Sequence, residues 1–276
     1  MIFLSALRRR PEHTPDFSTF PWSLPLVRDL DELEFTAPVT FLVGENGCGK
    51  STLLEGLAAG MDAVAAGRRD IARDPTLAAA RAFAQGFVFV RRRHARTRLF
   101  LRAEDVFGFT QRVTDAMADL QSDAADIAAS MPEGYGRRLA MGVVQGQRAA
   151  FANSYGDNPD AQSHGETFLA LLRRRLAPNG LYFLDEPETP LSPARVLALM
   201  ALMALIADRV VEGCQFIIAT HSPILMALPG AAILLVEAGQ LRASAWDDLE
   251  HVRVTRAFLT NPASVLAKLF PREDEP

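Results

Sequence analysis

The reading of this chain turns on Val39-Thr40-Phe41-Leu42-Val43-Gly44-Glu45-Asn46-Gly47-Cys48-Gly49-Lys50-Ser51-Thr52. The first five residues are β-branched or apolar and predict a strand. Gly44 to Thr52 fits G-x-x-x-x-G-K-[ST], and Leu53-Leu54-Glu55-Gly56-Leu57-Ala58 predicts the first turns of a helix. Strand, glycine-rich loop and helix, in that order, form the context that a phosphate-binding loop requires. Glycines let the backbone approach a ligand without a Cβ in the way. Successive N–H groups then make an anion-binding nest, and the helix N-terminus adds partial positive charge. In such a loop Lys50 reaches the β- and γ-phosphates of a nucleotide, and the Ser51 hydroxyl is placed for Mg²⁺. The expected phosphate-binding set is Gly44, Glu45, Asn46, Gly47, Cys48, Gly49, Lys50, Ser51 and Thr52.

The 276 residues are 49% hydrophobic and 22% charged, enough for one large domain with or without an inserted subdomain. The net charge of −4 carries no global signature of nucleic-acid binding, although a local patch is compatible with it. The two cysteines, Cys48 and Cys214, read as reduced thiols, which predicts a cytoplasmic protein. Met1-Ile2-Phe3-Leu4 runs into Arg8-Arg9-Arg10 without the long apolar region of a signal peptide. The longest apolar run, Val196 to Ala207, has 12 residues. That is too short to span a bilayer and predicts a helix buried on nearly all sides.

Before the loop, Ile2 to Leu7 and Leu33-Glu34-Phe35 predict short strands. Between them, Pro11, Pro15, Pro21 and Pro25 punctuate a segment carrying Phe17, Phe20 and Trp22. An aromatic there could stack on a base, but core packing is the commoner use. After the loop, Thr76 to Gln85 predicts a helix stopped by Gly86. Phe87-Val88-Phe89-Val90 and Leu99-Phe100-Leu101 predict a hairpin around the basic turn Arg91 to Arg98. That turn offers charge to DNA or RNA phosphates, while a solvated loop is the plainer reading. Asp105 to Met131 predicts a helix, and the glycine-dotted Pro132 to Asn158 predicts irregular structure. Residues 104–175 are expected to form a helical subdomain set between strands of an α/β core made of residues 1–103 and 176–276. No internal repeat or heptad run appears.

Strand–helix alternation in the second half predicts a parallel α/β sheet. Leu181-Tyr182-Phe183-Leu184 is a buried-type strand ending in Asp185-Glu186. In α/β folds the sites lie at such strand ends. Asp185 is placed to hold Mg²⁺ opposite the loop hydroxyl, and Glu186 to orient or deprotonate an attacking water. Gln215 to Ala219 predicts the next strand, ending at Thr220-His221-Ser222-Pro223. His221 there could donate to a γ-phosphate oxygen. Ser192-Pro193 predicts the start of the apolar helix. Ala232 to Val236 predicts a further strand, turned by Gly239, and Thr255 to Phe270 a helical stretch broken at Pro262. Ser163-His164-Gly165-Glu166 precedes a helical stretch, and a Ser and a Gly at a helix start suit either a cap or a second anion site. The chain has one nucleotide loop, so a second anion site invites the phosphate held by another copy.

This order of motifs resembles the ABC-type ATPase family. Within it the chain looks like the soluble AAA-like or ABC-like ATPases, related to recombination and SMC-like heads, more than like transporter subunits. The resemblance spans about Val39 to Val236. It implies an α/β P-loop NTPase sheet with helices on it and an inserted helical subdomain. It also implies ATP and Mg²⁺ as cofactors, Mg-dependent ATP hydrolysis, and an ATP-dependent homodimer that drives a protein or DNA partner. Carried over by position, Lys50 acts on the phosphates, Ser51 and Asp185 on Mg²⁺, Glu186 as catalytic base and His221 as switch histidine. Ser163 and Gly165 act on ATP held by the other subunit, and Thr189-Pro190-Leu191-Ser192 crosses the dimer. Gln162 to Glu166 departs from the Leu-Ser-Gly-Gly-Gln of transporter subunits, no clear glutamine stands at the water- and Mg²⁺-proximal position, and Glu104 is a candidate for it. With Ser163 close behind Lys50 and 55 residues after His221, neither long coiled coils nor an appended nuclease is expected. An ATP-binding transporter subunit and a P-loop kinase outside the family are the alternative readings.

Overall fold

The apolar runs of the two halves interleave in one sheet. The computed structural model describes residues 1–65, 78–155, 168–169, 172–173, 175–207 and 213–270. In chain order the first half contains β1 (Leu4–Arg9), α1 (Pro25–Arg28), β2 (Glu32–Glu34), β3 (Val39–Gly44), α2 (Lys50–Gly60), β4 (Val64–Ala65), α3 (Ala78–Gln85), β5 (Phe87–Arg91) and β6 (Thr97–Arg102). Two long helices follow, α4 (Ala103–Ser130) and α5 (Tyr135–Tyr155). The second half adds β7 (Gly180–Asp185), α6 (Pro193–Ala207), β8 (Gln215–Ala219), β9 (Ala232–Glu237), β10 (Gln240–Ala243), α7 (Glu250–Thr260) and α8 (Pro262–Leu269).

The main sheet has the order β10-β9-β3-β8-β7-β6-β4 and is parallel except for the β9–β10 hairpin. Its central strands are apolar on both faces, as a doubly covered parallel sheet requires. Leu42, Phe100, Phe183 and Ile217 point to one core with the α2 residues Leu53, Leu54 and Leu57. Phe41, Leu99, Tyr182, Phe216 and Ile218 point to the other, with Leu199 and Met203 of α6. This is the α/β sheet flanked by helices that the residue pattern predicts.

A second sheet, β2-β1-β5, is antiparallel. A buried glutamine ties the two sheets together. Gln215 Oε1 accepts from the N–H groups of Phe3 and Leu4 at 2.8 and 2.9 Å, and its Nε2 donates to Leu4 O at 2.9 Å.

Three sequence expectations are corrected. Phe87–Val90 and Leu99–Leu101 do not pair with each other: β5 joins β1, and β6 joins β7 and β4. Leu99, Phe100 and Leu101 are buried on both faces, which suits an inner parallel strand, whereas exposed Val88 and Arg91 suit an edge. The described part of Pro132–Asn158 is not irregular, because Tyr135–Tyr155 is a helix packed on α4, and residues 156–158 lie outside the described residues. Its alanine, arginine, leucine and glutamine content outweighs about 1 kcal/mol per interior glycine. The apolar helix α6 is not buried all round. Val196, Leu199 and Met203 lie on the sheet, while Leu197 and Leu205 are exposed.

Candidate functional site

The parallel strands β3, β8 and β7 are neighbours and end at one edge of the sheet. Gly44, Thr220-His221 and Asp185-Glu186 therefore converge there from segments far apart in the chain. The loop after β3 closes as its spacing predicts. Gly49, at φ 99°, opens α2 in a left-handed conformation that disfavours any Cβ. A Cβ at Gly44 would sit 2.7 Å from Val236 O on the adjacent strand. Lys50 is 5% exposed, and its Nζ donates to Gly44 O and Glu45 O, each at 2.8 Å. The ammonium is thus anchored across the mouth of the loop.

Ser51, on the first turn of α2, donates from Oγ to Asp185 Oδ1 at 3.2 Å. Asp185 is buried, and burial lifts its carboxyl from the ordinary 3.8 to about 6, against the lowering effect of the Ser51 hydrogen bond. A buried carboxylate beside one hydroxyl suits a small divalent cation that takes its remaining ligands from water and phosphate oxygens. Among the described residues no group of three His, Cys, Asp or Glu could hold a metal alone. Ser51 and Asp185, the two residues expected to face Mg²⁺, are brought together at this hydrogen bond.

The raised carboxyl predicts a stability effect. A group whose folded pKa exceeds its unfolded value contributes stability below the unfolded value and loses it as pH rises through the folded one. Asp185→Asn is therefore expected to stabilise the nucleotide-free, Mg²⁺-free protein at pH 8 by on the order of 3 kcal/mol at most. The gain should vanish near pH 3, below the ordinary 3.8, where Asp185 holds its proton folded and unfolded alike. Denaturation of both proteins at the two pH values checks this, and equal destabilisation at both would contradict it.

Glu186 follows in a left-handed conformation, φ 47°, held by its N–H donating to Ala219 O at 2.9 Å. Such a backbone is costly for a residue with a Cβ, and strain of this kind concentrates at functional sites. Glu186 Oε1 lies 3.8 Å from His221 Nε2. Burial and the Lys50 charge hold the His221 ring below its ordinary 6.5, with Glu186 opposing, which favours the neutral ring at pH 7. The contact is polar rather than an ion pair. His221 Nε2 is buried and has no hydrogen-bond partner among the described residues.

Glu188 is a residue that the motif reading passed over. Its Oε1 accepts from Thr220 Oγ1 at 2.6 Å, His221 N at 2.8 Å and Ser222 N at 3.1 Å. One carboxylate thereby fastens the loop after β7 to the loop after β8. The sequence signal was the fourth residue of Asp185-Glu186-Pro187-Glu188, a third acid to which the motif gives no role. Of the three loop aromatics, Trp22 is in the core, stacked with Phe83 and Phe87. Phe17 is exposed. Phe20 lines a cleft of about 260 Å³ with Asn46, Gly49, Lys50, Thr52 and Glu186. Arg91 and Arg98 of the basic turn both meet Asp62, at 3.6 and 3.4 Å. Ser163 and Gly165 lie outside the described residues, as does the side chain of Glu104.

Two family models match the chain. One, described as "AAA domain", covers residues 18–95 and so includes the P-loop. The other, described as "AAA domain, putative AbiEii toxin, Type IV TA system", covers residues 167–227 and so includes Asp185, Glu186, Glu188 and His221. No curated protein matches in sequence. Among solved structures, "An inward-facing conformation of a putative metal-chelate type ABC transporter" is 18% identical over 79% of this chain and 76% of that one, with a TM-score of 0.41. The cbiO1 protein from Clostridium perfringens, "Part of the ABC transporter complex cbiONQ", is 14% identical over 98% and 100%, with a TM-score of 0.42. Likeness at that level carries no argument, and the similarity that counts is that of the two AAA-domain matches. Residues 18–95 and 167–227 are thus each similar to an AAA-type domain, and the P-loop, the two acids and the histidine of the shared sheet edge fall within those two matches.

Proposed function

We propose that this chain binds ATP with Mg²⁺ on the loop Gly44–Thr52 and hydrolyses it to ADP and phosphate. The observation that supports this most is the convergence of Lys50, the Ser51–Asp185 pair at 3.2 Å and the Glu186–His221 pair at 3.8 Å on one sheet edge. Lys50 and the loop N–H groups hold the phosphates. Glu186 takes a proton from the attacking water as its oxygen bonds to the γ-phosphorus and the bond to the bridging oxygen breaks. His221 donates from Nε2 to a γ-phosphate oxygen, where charge builds. Ser51 and Asp185 would hold Mg²⁺, which would supply neutralisation of charge on the phosphate oxygens.

Two copies close on the nucleotide in this reading. Ser163 and Gly165, within the 104–175 helical unit, serve the neighbouring copy's ATP, and Thr189 to Ser192 crosses between copies. The closed pair drives a protein or DNA partner in the cytoplasm, in a defence or repair process. The toxin–antitoxin wording of one matched family supports that setting. No helix of the described residues is long and apolar enough to cross a membrane.

The test is phosphate release from ATP by the purified chain, with no acceptor added. Turnover that requires Mg²⁺ and stops with EDTA is expected. Phosphate transfer only to an added small acceptor would replace hydrolysis with kinase chemistry.

A further inference from the structure

His251, the second residue of α7, lies against His221. The His221 Nδ1 and His251 Nε2 atoms are 3.2 Å apart, with the rings tilted by 58°. The backbone N–H of His221 is fixed separately by Glu188. Its other ring nitrogen, Nε2, is the buried one that faces Glu186 at 3.8 Å. His251 itself is half-buried at the rim of a cleft of about 340 Å³ that Gly44, Glu45 and Cys48 border from the P-loop side.

We propose that His251 is a positioning residue whose Nε2–H donates to His221 Nδ1 and thereby places the single proton of the His221 ring on Nε2, facing Glu186 and the P-loop. A neutral imidazole has one donor and one acceptor nitrogen, and the hydrogen bond made by one decides the role of the other. The reverse arrangement would have His221 Nδ1 donate to His251. His221 Nε2 would then turn a bare lone pair on the Glu186 carboxylate, acceptor against acceptor. It would also offer no proton to a phosphate oxygen. Lys50 and Glu186 are the other charged groups acting on the His221 ring, and Lys50 together with burial favours its neutral form. On the His251 side, Glu45, Asp248, Glu250 and Arg253 border the same cleft. The inference rests on the hydrolysis reading for its functional consequence, while the tautomer is a property of the pair alone.

The experiment uses the full chain labelled with ¹⁵N-histidine. Its five histidines give few enough ring signals for the His221 pattern to be identified by its loss in His221→Asn. Wild type is expected to show His221 protonated on Nε2. His251→Phe keeps a ring but no nitrogen, so both His221 tautomers should appear. His251→Gln keeps an N–H near the Nε2 position and should restore the wild-type pattern. In phosphate release, kcat of His251→Phe is expected to fall about tenfold, part of what a positioned proton donor supplies. KM for ATP should stay nearly unchanged, and His251→Gln should recover most of the loss. A wild-type His221 protonated on Nδ1 would overturn the proposal. So would wild-type turnover in His251→Phe, or a loss in His251→Gln as large as in His251→Phe. If wild type releases no phosphate, the hydrolysis reading fails, and the tautomer spectra alone then uphold or overturn the pair.

Discussion

Lys50→Ala is expected to lower phosphate release by at least about 10²–10³-fold, the usual cost of removing one preorganised group that stabilises transition-state charge. The side chain combines two roles in this structure. Its charge sits at the start of α2 and adds to the helix dipole. Its Nζ also braces the loop by donating to Gly44 O and Glu45 O. Alanine removes both, leaving a buried carbonyl without its donor at a cost of roughly 1–3 kcal/mol. The main core does not use this side chain, so the fold should persist with a somewhat lower melting temperature. Arginine is not expected to rescue, because a planar fork cannot reproduce a compact ammonium between two carbonyls. Phosphate release and calorimetric ATP binding, measured on the same preparation, check this. Near-normal turnover would remove Lys50 from the phosphate site.

Glu186→Gln is expected to bind ATP as wild type does and to hydrolyse it about 10²–10⁴-fold more slowly. The amide matches the carboxylate in size, so the left-handed backbone at residue 186 and its bond to Ala219 O should survive. An amide cannot accept the proton of the attacking water, so the nucleotide stays intact. That makes the variant the right material for testing the proposed pair of copies. Light scattering should show a monomer without nucleotide and a dimer with Mg-ATP. Full turnover would exclude Glu186 as the base. A monomer under both conditions, with ATP binding shown separately, would exclude the closed pair and favour a P-loop enzyme that works alone.

Much of this arrangement is legible in the sequence because it is local. Val39 to Ala58 contains its own strand, loop and helix, and each residue type has a role that neighbours in sequence explain. Asp185, Glu186 and His221 were legible because each stands within two residues of the end of an apolar run, and an apolar run ending in polar residues marks a strand end. The misreadings have physical causes as well. The run at Phe87 paired with Leu4–Arg9 rather than with its neighbour in sequence, because burial on both faces drew Leu99–Leu101 into the main sheet. The glycines of Pro132–Asn158 suggested loops, yet each costs a helix little beside a packed partner. Leu197 and Leu205 show that hydrophobicity states a preference for burial and does not guarantee it.

Residue order alone decided that this is an α/β chain with a phosphate loop and a set of acids and a histidine at strand ends. These features depend on spacings of a few residues. Tertiary structure alone decided which strand lies beside which, and so placed the His221 strand between the P-loop strand and the Asp185 strand. It decided that Glu188 clamps the His221 loop, that Gln215 joins two sheets, that Phe20 rather than Trp22 faces the cleft, and that His251 meets His221 across 30 residues. Contacts of that range leave no periodic trace in a sequence, because they are set by how strands cross over and which helix then lies against the edge.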